Sequence, residues 1–261
     1  MNLGARPAER ISTMVARCPS TVRGLGSRTL DLLLPPRALD GGGAVISNGL
    51  SAEAWGRIHF IEAPVCDGCG APMRYDTKVR CPACQTRPPA FDRGRAACLY
   101  DDASRDLILR FKHGDRTDLA PLFARWLARA CADIAGELDA VVPAPLHPLR
   151  LLARRYNQAA EIARPLARHL GVACWPDALI RRKRTASQAG KSGDARRRNL
   201  AAAIVASKRA AIAGARLLVV DDVLTTGATA EACARALKAA GAASVDLAVV
   251  ARVHTRALEA I

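Results

Sequence analysis

The segment VVDDVLTTGAT, residues 219–229, sets two adjacent carboxylates between an apolar run and a loop rich in threonine. The apolar run at 217–220 predicts a buried strand of a parallel sheet, and the small and apolar residues at 229–240 predict a helix that Gly241 closes. Ligands of open α/β sheets bind at the carboxyl ends of the strands. The sequence therefore predicts an α/β fold with a ligand site at this loop.

The loop offers hydrogen-bond donors to an anion. Thr225, Thr226 and Thr229 carry hydroxyl groups, and the helix that follows begins with unpaired backbone N–H groups and a partial positive charge. Gly227 permits a backbone conformation and a close approach that a side chain would block. We therefore predict that a phosphate group binds here.

Asp221 and Asp222 suit a different part of the ligand. Like charges repel, so the two carboxylates do not bind the phosphate, but they accept hydrogen bonds strongly from sugar hydroxyls or from the water molecules of a bound Mg²⁺ ion. In a plainer interpretation the aspartates cap a turn and the threonines are ordinary loop residues. That interpretation requires the order of all these residues to be a coincidence. The glycine-rich nucleotide-binding patterns GxxxxGK(S/T) and GxGxxG, which would indicate other ligands, are absent. A phosphorylated sugar is the predicted ligand.

This segment resembles the phosphoribosyl pyrophosphate signature of type I phosphoribosyltransferases, and its surroundings resemble the ComF family, which is linked to DNA uptake in bacterial competence. Further similar blocks lie at residues 100–114, at 141–160 (VVPAPLHPLRLLARRYNQAA), at 185–188 and at 196–199. Arg155, Asn157 and Gln158 are in register with the family's pattern, while Tyr156 replaces its phenylalanine and His113 replaces an aromatic residue. The resemblance covers about residues 30–255.

The resemblance implies a type I phosphoribosyltransferase fold, a mostly parallel sheet flanked by helices, that binds phosphoribosyl pyrophosphate with Mg²⁺. Such enzymes displace pyrophosphate from the anomeric carbon through a cationic transition state, without a protein nucleophile. Asp221 and Asp222 are the catalytic candidates, because they would hold the ribose hydroxyls. The substrate-binding candidates are Thr225, Thr226, Gly227, Ala228 and Thr229 around the 5′-phosphate, the pyrophosphate turn Pro143, Ala144 and Pro145, and the basic residues Arg155 and Lys112. For Lys112, a solvated helix end is the competing interpretation.

Basic residues concentrate in one part of the chain. Residues 147–209 contain fifteen Lys or Arg against three acidic residues, a net charge of +12 out of the chain's +15. The polar, glycine-containing stretch 181–198 is typical of a mobile flap over an anionic site. Two interpretations compete with it: a solvated arginine face, since 33 of the 39 basic residues are Arg, and nonspecific contact with DNA through phosphate neutralisation.

Four of the nine cysteines have the spacing of a metal site. The pairs Cys66-x-x-Cys69 and Cys81-x-x-Cys84 are eleven residues apart, and two such pairs of thiolates form tetrahedral zinc sites. Gly70 suits the unusual backbone of such a knuckle. Disulfides are the alternative, but we see no secretory signal. We predict a structural Zn²⁺, because four protein ligands leave no open position for catalysis.

Related ComF proteins often carry another cysteine unit upstream, which this chain lacks. The residues at those cysteine positions are Ala38, Gly41, Ser51 and Ala54. Nearby apolar residues are expected to pack against the downstream ribbon even without that metal; these are Trp55, Ile58, Phe60 and Ile61. We therefore divide the chain into a disordered tail at 1–29, a zinc-ribbon region at 30–90 with only its downstream four-cysteine site intact, and a phosphoribosyltransferase-like domain at 91–261.

The leading interpretation is a phosphoribosyltransferase in a ComF-type role linked to DNA uptake, although no acceptor site is recognisable. The alternatives are a non-catalytic adaptor of the uptake machinery and a binder of single-stranded DNA, for which stacking aromatic residues are scarce at 4%. No apolar run approaches the ~20 residues that span a bilayer. We expect a soluble cytoplasmic protein without membrane insertion, whose partners are phosphoribosyl pyrophosphate or a related nucleotide, and single-stranded DNA or DNA-uptake proteins.

Overall fold

A parallel sheet lies at the centre of the structure. The computed structural model describes residues 38–40, 42, 49–74, 80–113, 116–146, 156–182, 203–208 and 210–253. Within these residues the strands of the sheet are β1 (Gly94–Leu99), β2 (Ala140–Pro143), β3 (Ala173–Cys174), β6 (Arg216–Leu224) and β7 (Ser244–Arg252). They are all parallel, in the order β1-β7-β6-β2-β3, and β4 (Leu179–Arg181) pairs separately and antiparallel with β5 (Ile204–Ala206). The predicted α/β architecture is confirmed.

Helices cover both faces of the sheet. The described helices are α1 (Ala52–Arg57), α2 (Pro82–Thr86), α3 (Asp102–His113), α4 (Ala120–Ala130), α5 (Gln158–Leu170) and α6 (Ala228–Ala239). Alternate residues of β6 face opposite sides, so Leu218 belongs to the core that holds α4 and α5, while Leu217 belongs to the core that holds α6. None of these described helices combines the length and the apolarity that a membrane crossing requires.

The strand β6 is longer than its apolar run. The pattern predicts a strand at 217–220, whereas β6 continues to Leu224 and includes both aspartates. Its last residues pair with β7, Val223 with Ala251 and Leu224 with Arg252, so the ladder does not stop where the apolar run stops. The acidic pair therefore lies on a rigid strand, and the loop that follows is only residues 225–227.

The segment before the cysteine cluster packs on the edge of the parallel sheet. Phe60 bridges Cys98 antiparallel at the outer edge of β1, and the Ile61 N–H donates to the carbonyl of Ala97 at 2.9 Å. Residues Trp55, Ile58 and Phe60 contact the core under α4, and Ile61 packs against the core on the other face. The expectation that these four pack against the downstream ribbon is therefore wrong, because the edge of β1 offers backbone groups for pairing.

Hydrogen bonds join residues 39 and 40 to residues 49 and 51, upstream of the cysteine cluster. The Asp40 carboxylate accepts hydrogen bonds from the Ser51 N–H and from the Ser51 hydroxyl, each at 2.8 Å. The Leu39 N–H also donates to the carbonyl of Gly49 at 2.7 Å. Ser51 is the N-cap of α1, which connects these hydrogen bonds to the helix.

Candidate functional site

The predicted turn at Pro143 and the acidic pair lie on neighbouring strands, at the point where the strand order of the sheet reverses. From β2 the chain crosses to β3 on one side, and from β6 it crosses to β7 on the other, so β2 and β6 flank the switch point. Pro143 at the end of β2 pairs with Val220 of β6, and α5 and α6 leave these strands on opposite faces. Open α/β sheets bind their ligands in the crevice at this point. The acidic pair follows Val220 directly.

The threonine loop begins α6 at this crevice. Thr225 and Thr226 are exposed, and Thr229 is half-buried in the first turn of the helix. Gly227 precedes α6 with φ +75°, a left-handed conformation that side chains other than glycine adopt only with strain. A small cavity of about 60 Å³ is lined by residues 223–230 together with Asp221 and Val249. The loop is thus partly exposed, and its residues line one cavity.

The two carboxylates of the acidic pair lie close to each other and to the Lys112 ammonium, and the pKa of Asp221 is shifted. The Asp222 N–H donates to Asp221 Oδ1 at 2.9 Å, and Lys112 Nζ lies 3.0 Å from Asp222 Oδ2. Burial, followed by the charge of Asp222, raises the pKa of Asp221 from 3.8 to about 7, while Lys112 and Arg181 act in the opposite direction. Arg181 ends β4, so it brings the start of the basic segment into electrostatic reach of this carboxylate.

This shift predicts a pH dependence of folding stability. The pKa of Asp221 is raised from 3.8 to about 7 in the folded protein, so between these pH values the unfolded chain releases a proton that the folded chain retains. The contribution of Asp221 to the free energy of unfolding therefore falls as the pH rises through this window, by at most about 1.4 kcal/mol per pH unit, and the loss is complete above pH ~7. In Asp221→Asn this contribution is absent. Urea denaturation at several pH values should therefore show the free energy of unfolding of the variant rising relative to that of the wild type as the pH rises. Parallel profiles for the two proteins would refute the assignment.

The predicted pyrophosphate turn has few donors of its own. Pro143 and Pro145 lack an N–H, and the Ala144 N–H already donates to the Val220 carbonyl at 2.8 Å. All three residues are buried. Within the described part of this turn, these three residues therefore offer no unused backbone N–H to a ligand.

Asn157 holds this turn in place, a role that the sequence did not reveal. Its Nδ2 donates to the Ala144 carbonyl at 3.1 Å, and its Oδ1 accepts the Ala159 N–H at 3.1 Å as the N-cap of α5. An asparagine immediately before a helix is an N-cap signature, which was the available signal. Arg155 lies outside the described residues, as do His147, the blocks at 185–188 and 196–199, and most of the predicted flap.

The four predicted metal ligands come together in one cluster. The Sγ atoms of Cys66, Cys69, Cys81 and Cys84 all lie within 4.8 Å of one another. Cys69 Sγ and Cys81 Sγ are 3.8 Å apart, which matches the edge of about 3.8 Å in a tetrahedron with metal–sulfur bonds of about 2.3 Å. The cysteines in the described part of the chain are free thiols, so no disulfide competes for these ligands there.

Backbone geometry shapes the cluster and docks it on the sheet. Gly70 has φ +67° and its N–H donates to the Cys66 carbonyl at 2.8 Å, which closes the first knuckle. A Cβ atom at Gly70 would lie 2.7 Å from the Gly94 carbonyl at the start of β1. Arg252 at the end of β7 donates to the carbonyl of Cys69 at 2.8 Å and contacts its Sγ at 3.3 Å. The cluster therefore rests directly on the edge of the large domain.

A larger cavity, of about 500 Å³, lies between residues 55–70 and α4. None of the residues predicted to bind the sugar lines it. Arg95 and Arg129 are in its wall, but Asp133 and Glu62 already neutralise them. Because none of the predicted sugar-binding residues lies there, the candidate functional site is the crevice at β6.

Comparison with known proteins defines the class of the large domain. Residues 156–260 match the phosphoribosyl transferase domain family. With the sheet described above, this match identifies a phosphoribosyltransferase domain of the type I fold. The phosphoribosylpyrophosphate amidotransferase of B. subtilis aligns with 52% of this chain and 26% of its own, at 22% identity and a TM-score of 0.34.

Two relatives identify the family more narrowly. The DNA utilization protein YhgH of Salmonella typhimurium is 31% identical over 188 residues, which cover 70% of this chain and 82% of that protein. Competence protein F of Haemophilus influenzae is 29% identical over 214 residues, which cover 80% of this chain and 92% of that protein. The chain belongs to the ComF family, the family of competence protein F.

Proposed function

We propose that this protein binds phosphoribosyl pyrophosphate with Mg²⁺ and transfers its phosphoribosyl group. The observation that supports this most is the meeting, at one switch point, of a carboxylate pair for a diol with a threonine loop for a phosphate. A single ribose 5-phosphate unit carries both groups. Asp221 and Asp222 accept hydrogen bonds from the ribose hydroxyls, and residues 225–229 bind the 5′-phosphate through N–H and hydroxyl donors.

We place the leaving group, pyrophosphate, at the end of the neighbouring strand β2. The turn after β2 holds pyrophosphate with the N–H groups that follow Pro145, and Arg155 and Lys112 supply positive charge. Carboxylate and phosphate oxygens are the ligands that Mg²⁺ prefers, and the ion supplies neutralisation of the charge that builds on the leaving pyrophosphate. The chain's own contribution is to orient the sugar, because the reaction needs no protein nucleophile.

We also propose that the cysteine cluster binds one structural Zn²⁺. Four sulfur atoms within 4.8 Å of one another, on residues of which three are buried, fit that ion and leave no open position for a substrate.

The names of the relatives support a role in DNA uptake or DNA utilisation. In that setting the second candidate is a non-catalytic adaptor or a nucleic-acid-binding protein, which the net charge of +15 favours. The candidates differ in their response to salt, because DNA binding through phosphate neutralisation weakens steeply as salt rises.

Calorimetric titration with phosphoribosyl pyrophosphate, with and without Mg²⁺, tests the proposed ligand. We expect one site per chain and an affinity that rises at least about tenfold when Mg²⁺ is present, because the ion screens the pyrophosphate charge. Ribose without phosphates is the control and should not bind measurably. Absence of heat with phosphoribosyl pyrophosphate in either condition would refute the proposal.

A further inference from the structure

Lys112 forms an ion pair with one member of the acidic pair, Asp222. It extends from the last turn of α3, and its Nζ lies 3.0 Å from Asp222 Oδ2. The two side chains are only 19% and 18% exposed, so water screens the pair less than it would screen a surface pair. The ammonium therefore fills an acceptor position on a carboxylate that we expect to bind the ribose diol.

The end of α3 is held by side chains from the block at 156–158. The Tyr156 hydroxyl donates to the Phe111 carbonyl, and the buried Gln158 amide donates to the Lys112 carbonyl at 3.5 Å. The last carbonyls of a helix lack partners within the helix, so these bonds cap α3 at the residue that carries the ammonium. The Tyr156 ring also contacts Phe111, with 6.2 Å between ring centroids.

The same block holds the turn beside the leaving group. Asn157, between Tyr156 and Gln158, bonds the Ala144 carbonyl at 3.1 Å. One short block thus links the helix that presents Lys112 to the turn where we place pyrophosphate. Tyr156 contributes a hydroxyl that the phenylalanine of the family pattern does not have.

We propose that Lys112 is a displaceable counter-ion, which neutralises the acidic pair in the free protein and moves to the pyrophosphate group when the ribose diol takes its place on Asp222. Tyr156 and Gln158 are positioning residues that hold α3 so that this ammonium reaches both places. The inference rests on the proposed function. Its physical basis is that an ammonium and a diol compete for one carboxylate, while the incoming pyrophosphate brings a stronger anion next to the turn at Ala144.

The affinities of two ligands test the two proposed interactions of Lys112, with Asp222 and with pyrophosphate. Phosphoribosyl pyrophosphate carries the diol, the 5′-phosphate and the pyrophosphate, whereas ribose 5-phosphate lacks only the pyrophosphate. In Lys112→Met we expect calorimetry with Mg²⁺ to show about tenfold weaker binding of the first ligand, because its cation is lost. Ribose 5-phosphate should bind about threefold more tightly, because its competitor is gone. Lys238→Met is the matched control, since Lys238 pairs with Asp92 away from the crevice, and should change neither affinity.

Tyr156→Phe tests the positioning role, because it removes only a hydroxyl and keeps the ring. We expect the same pair of opposite shifts at smaller size, about threefold or less. Tyr100→Phe is its control, because Tyr100 forms no side-chain hydrogen bond within the described residues. Unchanged affinities in Tyr156→Phe would overturn the positioning role.

The outcomes also separate this inference from the proposed function. If the wild type binds neither ligand, the proposed function fails and the inference fails with it. If the wild type binds both ligands and Lys112→Met weakens both or neither, counter-ion exchange is refuted while the proposed function stands. Thermal unfolding of each variant shows whether the protein measured is folded.

Discussion

Replacement of both Asp221 and Asp222 by asparagine should abolish Mg²⁺-dependent binding of phosphoribosyl pyrophosphate, with a loss of at least about 100-fold in affinity. Each carboxylate accepts charge-assisted hydrogen bonds from the diol, and such bonds are about twice as strong as neutral ones. An asparagine amide offers only one oxygen acceptor and turns N–H donors toward hydroxyls that also need acceptors. Calorimetric titration gives the affinity, and pyrophosphate release gives the turnover.

The fold should survive this double substitution. Burial and the neighbouring charge raise the pKa of Asp221, so removal of these negative charges relieves a cost in the folded state. Asp139→Asn is the matched control, because Asp139 is exposed and pairs with Arg216 at the amino ends of β2 and β6, opposite the strand ends that form the crevice. That variant should retain the wild-type affinity. Unchanged turnover in the double variant would remove both aspartates from the proposed site.

Local pattern was sufficient to predict the central loop. The apolar run of β6, the start of α6 and the left-handed Gly227 depend on neighbours within a few residues, which the sequence shows directly. Leu107, Ile108 and Phe111 also recur at helical spacing in the sequence, and the structure buries all three. Patterns of this kind predict the type of an element because its hydrophobic face repeats along the chain.

Positions that depend on distant partners were not predictable in this way. The extension of β6 to Leu224 depends on pairing with β7, and the docking of Phe60 depends on the free edge of β1. The ion pair of Lys112 with Asp222 joins two residues that only the fold brings together, so at the sequence level a solvated helix end explained Lys112 equally well. Contacts between residues far apart in the chain leave no repeating pattern in the sequence. The spacing of the four cysteines is itself a recognisable pattern, which is why the cluster was predictable.

Removal of the proposed Zn²⁺ should unfold the cysteine module while the large domain remains folded. The buried core of this module consists of Cys66, Ala71, Cys81 and Cys84, with Cys69 and Met73 packed against it. Without an ion these thiols bury almost no apolar surface against each other, and structural zinc contributes on the order of 10 kcal/mol to such sites. The two large cores belong to the sheet and its helices, so they do not depend on the metal.

Cys81→Ser and treatment with a strong chelator should both give this result. We expect about one zinc per chain in the wild type and far less in the variant, together with a loss of hydrogen-exchange protection at residues 64–74 and 80–87. Strands β6 and β7 should keep their protection, because their ladder lies inside the sheet. Cys174→Ser is the matched control, since Cys174 is a half-buried free thiol on β3 outside the cluster. Full protection of the module in chelator, or a wild type with far less than one zinc, would show that the thiols hold the fold without a metal.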